Sequence, residues 1–285
     1  MKKISFLICL LFLLSSLPAV GQNGWVRNAK GLYTQVSLTS FSSNTYYSTE
    51  GVLFDQGSTF NSRAWLVYGE YGLTDRLTAV FDLPLLVLNN FNTTSTVGGL
   101  GSARIGLKYG LAKKIPVSIA VEADIPTDNG INFATAKEAN SLGTFDQINL
   151  PTSDGEFNVW TTLAASKSFN KGKSFGSLFV SANFRTQGFS HQFQSGLEIG
   201  HLFFDKLYLI GKVRIQESFN NGNGQSATFL YGEGTTFTNY GLTGMYKLNK
   251  KLSVIGSFTD ISNFLVERKN IYDGFTLSLG IAVEY

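Results

Sequence analysis

Cysteine is almost missing from this 285-residue chain: Cys9 stands alone, inside an apolar stretch near the start. Downstream there is no thiol, which excludes disulfides and thiolate metal sites. Histidine is nearly as scarce. His191 and His201 are too few for a transition-metal centre, and no other metal or cofactor motif stands out. Charge is thin too, at 15% of residues against the ~25% usual in soluble domains. After residue 21 no apolar run approaches the ~20 residues of a membrane helix. The 21 basic and 20 acidic residues beyond that point nearly cancel, so there is no basic footprint for nucleic acid.

What is present is 14% aromatics and 30 glycines. Few charges and many aromatics without a helical span suit a transmembrane β-barrel, whose strands show apolar residues to lipid only at alternate positions. The opening "MKKISFLICLLFLLSSLPAVGQ" has two lysines, an apolar run over Ile4–Leu14 and Ala19-Val20-Gly21. That pattern predicts a signal peptide over residues 1–21, cleaved near Gly21, with residues 22–285 as the exported domain. Phe6-Leu7-Ile8 before Cys9 is wrong for lipid attachment, which wants small residues there.

Twelve alternating segments follow, and alternation means a strand with one apolar face. They are Leu32–Phe41, Arg63–Tyr71, Leu77–Leu88, Ser102–Leu111, Val117–Ile125, Phe157–Phe169, Leu178–Arg185, Gln192–Phe203, Leu207–Phe219, Thr236–Leu248, Leu252–Ile261 and Phe275–Tyr285. Pro84 is out of place in the third, since it cannot donate to a ladder; a bulge would hold it. Every second connection is tight and polar, such as Thr74-Asp75-Arg76 and Asp205-Lys206. Most of the others are long, the longest being Thr127–Glu156. Short turns alternating with long loops and an even strand count predict an all-β, antiparallel up-and-down barrel in the outer membrane, with 127–156 as a long extracellular loop. Its outer face meets lipid, and closure removes edges that hydrocarbon would not tolerate.

The inward parity gathers Glu70, Asp82, Arg104, Lys108, Glu122, Asp124, Arg185, Glu198, Lys212 and Arg214. The turn near Lys113 sets Arg104 across from Glu122 or Asp124. The turn near Asp205 sets Glu198 opposite Lys212, with Arg214 one pair further on. Such charges either brace the lumen in pairs or line a path for a small solute and tune its selectivity. Phe133 and Phe145, within 127–156, are candidates for an inward constriction.

Signals for catalysis are thin, and an enzyme is not expected. Barrel phospholipases have a similar size, but their His-x-Ser pair is absent: His191 is followed by Gln192-Phe193 and His201 by Leu202-Phe203. Ser190 and His191 are neighbours whose side chains leave a strand on opposite faces. "GGLGSARIG" lacks the third glycine of a phosphate loop and any following helix.

The stretch Gly99–Thr127 carries a resemblance. Gly99-Leu100-Gly101, then Gly106-Leu107-Lys108-Tyr109, then Pro126-Thr127 resemble the outer-membrane barrels associated with meta-pathway phenol degradation. That family shows Gly-Leu-Gly-Asp, Gly-x-Lys-Tyr and Pro-Thr-Gly; here Ser102 replaces the Asp, and Asp128-Asn129 precede Gly130. The match covers about two strands. It implies a channel or uptake protein for small hydrophobic or aromatic molecules, and carries over no substrate-binding residue. Tyr285 resembles the terminal aromatic by which such barrels are recognised by the barrel assembly machinery. A non-transporting surface barrel and a barrel lipase are the competing readings.

Overall fold

A computed structural model describes residues 22–219 and 234–285. The signal-peptide reading over 1–21, with its cut near Gly21, lies outside the described residues, as does most of the loop after the ninth strand.

Twelve antiparallel strands close into a barrel. They are β1 Leu32–Tyr47, β2 Leu53–Gly72, β3 Leu77–Phe91, β4 Ala103–Ala112, β5 Val117–Ile125 and β6 Asn158–Phe169. The ring continues through β7 Ser174–Arg185, β8 Gln192–Phe203, β9 Leu207–Ser218, β10 Phe237–Lys247, β11 Leu252–Ser262 and β12 Thr276–Glu284. Each strand pairs with the next in sequence, and β12 returns to β1 in register from Tyr33↔Glu284 to Phe41↔Thr276. No helix among the described residues is long and apolar enough to cross a membrane.

Alternation explains the outer surface. On β4, Ile105, Leu107, Tyr109 and Leu111 are exposed, while Lys108 between them is buried; on β12 Leu277, Leu279 and Ile281 are exposed while Ala282 is buried. This is the inverse of a soluble core, and it puts apolar side chains where acyl chains replace water.

Pro84 sits where β2 and β3 shift register: Trp65 faces Leu86 and Leu66 faces Pro84, so Leu85 is extruded as a bulge. The ring keeps its hydrogen-bond ladder by leaving the missing donor at that irregularity. β1 and β2 run well beyond the predicted ends, pairing as far as Tyr47↔Leu53. The residues beyond Phe41 are mostly polar, so lipid-driven alternation fades there while backbone pairing continues.

Several glycines admit an aromatic ring from the adjacent strand. A Cβ on Gly200 would come within 2.2 Å of the Phe175 ring, and one on Gly196 within 2.5 Å of Phe179. Both rings lie on the inner face of β7 and are buried.

Candidate functional site

The interior is polar and charged, and it is built in three tiers. At the short-turn end, residues 22–31 precede β1 and fold up into the lumen. The inner faces of the neighbouring strands are trimmed to receive them by Thr78, Ser118, Ser166 and Ser177. Ser118 Oγ donates to the Asn23 carbonyl at 3.0 Å, and Gly24 N donates to Ser166 Oγ at 2.8 Å. A Cβ on Gly24 would lie 2.2 Å from the Pro116 carbonyl oxygen, so the close approach requires glycine. Trp25 packs edge-on against Phe175 at 5.7 Å.

Arg27 is the anchor of this segment. Its backbone N–H donates to Thr78 Oγ1 at 2.9 Å, and its guanidinium lies 5.0 Å over the Tyr33 ring. Nε donates to Glu70 at 2.9 Å, and Nη1 reaches Glu284. Glu70 also accepts from Lys108 at 2.6 Å and from the Tyr68 hydroxyl at 2.8 Å. A fully buried carboxylate is thus held by two cations and a hydroxyl, the condition under which a charge survives out of water.

The middle tier centres on Arg104. Asp124 is its cross-strand partner and receives two guanidinium bonds, at 2.7 and 2.8 Å. The Trp160 indole N–H donates to the same carboxylate at 2.8 Å, and the Arg104 guanidinium sits 4.7 Å over that indole. Two cavities meet here, of about 420 Å³ toward the short turns and about 570 Å³ toward the loops; Leu66, Asp82 and Arg104 line both. Glu122 faces the first cavity opposite the Cα of Gly106 rather than that of Arg104. Across the barrel, Glu198 is the cross-strand partner of Lys212 with a loose 3.5 Å ion pair, and Arg214 lies one inward step along β9, opposite Gly196.

The third tier lies toward the long-loop end. Glu156 and Arg185 form a buried ion pair, with Arg185 Nε donating at 2.7 Å. Burial pushes the Glu156 carboxyl up to about 7, against the pull of Arg185. On the β1–β3 side of the same end, Tyr46, Phe60, Phe91 and Tyr272 form an aromatic cluster, with Phe60 and Tyr272 stacked at 4.6 Å.

The long loop contributes to this tier through its second half. Leu150, Thr152, Ser153 and Glu156 are buried, and Asn89 Nδ2 donates to the Pro151 carbonyl at 2.9 Å. Phe133 and Phe145 stand elsewhere. Phe133 opens a short hairpin, Phe133–Thr135 paired with Gln147–Asn149, whose alternation turns Ala134 inward and Phe133 out. Phe145 precedes the second arm. Both are more than half exposed, and neither lines either of these two cavities. Tyr285 keeps reciprocal backbone hydrogen bonds with Leu32 while its ring points out under Lys251.

One serine–histidine contact escaped the sequence reading: Ser174 Oγ and His201 Nδ1 are 2.7 Å apart across β7 and β8. Among the described residues nothing hydrogen-bonds the other ring nitrogen, and a serine nucleophile needs a base that is itself oriented. Also among the described residues, no group of three metal-binding side chains comes together.

No family model and no curated protein matches the chain. Solved structures do match in fold. An outer membrane channel from Pseudomonas putida F1 superposes with a TM-score of 0.68 at 15% identity, covering 94% of this chain and 100% of that one. The translocator domain of the autotransporter NalP from Neisseria meningitidis gives 0.54 at 11% identity, over 92% and 90% of the two chains. At these identities what is shared is the fold: this chain is a barrel built like those of the outer membrane.

Proposed function

We propose that the protein is an outer-membrane channel for the uptake of small solutes, with its short turns in the periplasm and the loop 127–156 outside. Export by the 1–21 signal and insertion through the barrel assembly machinery, with Tyr285 as the recognised residue, belong to the same reading. The observation that carries it is the pair of cavities that meet at Arg104 inside an apolar shell. A barrel serving only as a surface scaffold has no need of a chambered interior. Glu70, Asp82, Lys108, Glu122, Glu198, Lys212 and Arg214 line the lower chamber with Arg104, and Asp124 and Arg185 line the upper. The resemblance over Gly99–Thr127 supports hydrophobic or aromatic solutes, whereas this charged lining supports polar ones. We take the lining as the stronger guide, because an apolar solute would strand these charges without water.

Residues 22–27 close the base of the lower chamber, so passage requires them to move. Residues 22–285, refolded and placed in planar bilayers, should show small, flickering conductance, and Arg27→Ala should raise it. Silence from both proteins would overturn the channel reading and leave a surface-recognition barrel.

A further inference from the structure

The lower chamber holds charges that the barrel does not pair. Arg104 is committed to Asp124, and Lys108 to Glu70. That leaves Asp82 on β3, Glu122 on β5 and Arg214 on β9. Among the described residues none of these three makes a hydrogen bond or ion pair, and all three line the same cavity of about 420 Å³. β9 lies six places from β3 in a ring of twelve, so Arg214 and Asp82 stand on opposite walls. Glu122, four places from β9, stands on the Asp82 side, and the cations between them, Arg104 and Lys108, are each already bonded to another carboxylate. Lys212 lies on the Arg214 wall, in only a 3.5 Å contact with Glu198.

Charges in a barrel that serve only as braces are expected to find partners within it, because a brace acts by pairing across the lumen. Here the unpaired ones are sorted by sign across a chamber of ligand size. A lone anion would meet Arg214 and be repelled by two carboxylates; a lone cation would meet the reverse. A molecule with a carboxylate at one end and an ammonium at the other satisfies both walls, the guanidinium fork taking the carboxylate and the acidic wall the amine.

We infer that the lower chamber is a binding site for small zwitterionic solutes, with Arg214 as carboxylate receptor and Asp82 with Glu122 as the ammonium receptor. This rests on the channel reading for its biological setting, but binding itself needs no conduction.

The test is calorimetric titration of the folded barrel in detergent micelles with ω-amino acids of two to seven methylenes. Alkyl carboxylates and alkylammonium ions of matching length are the single-charge controls. At least one chain length should bind ten-fold or more tighter than both of its controls. Arg214→Gln should reduce that ligand to the level of the alkylammonium ion, and Asp82→Asn with Glu122→Gln to that of the carboxylate. Arg214→Lys keeps the charge without the fork and should fall between, which separates recognition from misfolding. A zwitterion that binds no better than its controls at every length overturns the proposal, as does an advantage that survives Arg214→Gln. A barrel that conducts without this preference refutes the site alone; one that binds without conducting refutes the channel alone.

Discussion

Glu70 and Arg27 are joined by a 2.9 Å ion pair, yet removing one should cost far more than removing the other. Among the described residues, Glu70→Ala takes the only salt-bridge partner from Lys108, whose side chain is 6% exposed, and one of two from Arg27. A buried pair broken from one side costs about 3–5 kcal/mol, because the surviving charge stays desolvated and alone. Arg27→Ala strands nothing. Glu70 keeps Lys108 and the Tyr68 hydroxyl, and Glu284 is partly open to solvent. Its cost should be no more than about 2 kcal/mol, the scale of a lost hydrogen bond to a charged group. Urea unfolding of the two variants in lipid vesicles, followed by gel mobility of folded and unfolded forms, measures both. Arg27→Ala should also change the fluorescence of Trp25 as it leaves Phe175. Equal costs, or a larger one for Arg27→Ala, would refute the claim that the N-terminal segment is a separable insert rather than part of the wall.

Gly24→Val should unseat the same segment by a different route, since its Cβ would strike the Pro116 carbonyl; conductance should rise with barrel stability nearly unchanged. Leu107→Arg, on the lipid face, should lower assembly yield with a cost of about 2–4 kcal/mol if it sits near the midplane, while Ser257→Arg, facing the chamber, should assemble normally. Equal yields would undo the inside–outside assignment. The Glu156 carboxyl, pushed up to about 7 from the ordinary 4.5, binds its proton more tightly folded than unfolded. Its contribution to stability is therefore complete below pH 4.5 and lost as pH rises through about 7. Unfolding midpoints should decline across that window and flatten there in Glu156→Gln.

The barrel was legible because lipid imposes a strict rule on every second residue, and tight turns then fix which residues face each other. Those two constraints lead from the sequence to the Glu198–Lys212 register, and they narrow the partner of Arg104 to two carboxylates. They say nothing about chain that is neither in a strand nor against lipid. Residues 22–31 have no periodicity, so nothing marked them as filling the lumen. The signal was indirect: on the inner parity Thr78, Ser118, Ser166 and Ser177 are small where a filled barrel needs bulk. Phe133 and Phe145 are expected at a constriction because they are aromatics in a long loop, and the structure places both at exposed positions there. Burial in the loop falls instead on Leu150 to Glu156, whose packing depends on Asn89, 62 positions from Pro151. The hairpin beyond Phe41 has a related cause: its residues are mostly polar, so no lipid-facing alternation marks the backbone pairing that continues there.

Arg27 lies over Tyr33 of β1, and its two carboxylate partners stand on the strands either side: Glu70 on β2 and Glu284 on β12. Both are the cross-strand partners of Tyr33 itself. One guanidinium therefore straddles the seam where the last strand zips to the first. During biogenesis that contact cannot form until the seam has closed in the right register; a slip of one residue would carry Glu284 to the outer face. The contact therefore rewards the correct closure register, and variants that loosen it should accumulate late, open-seamed assembly intermediates even where the finished barrel is nearly as stable as before.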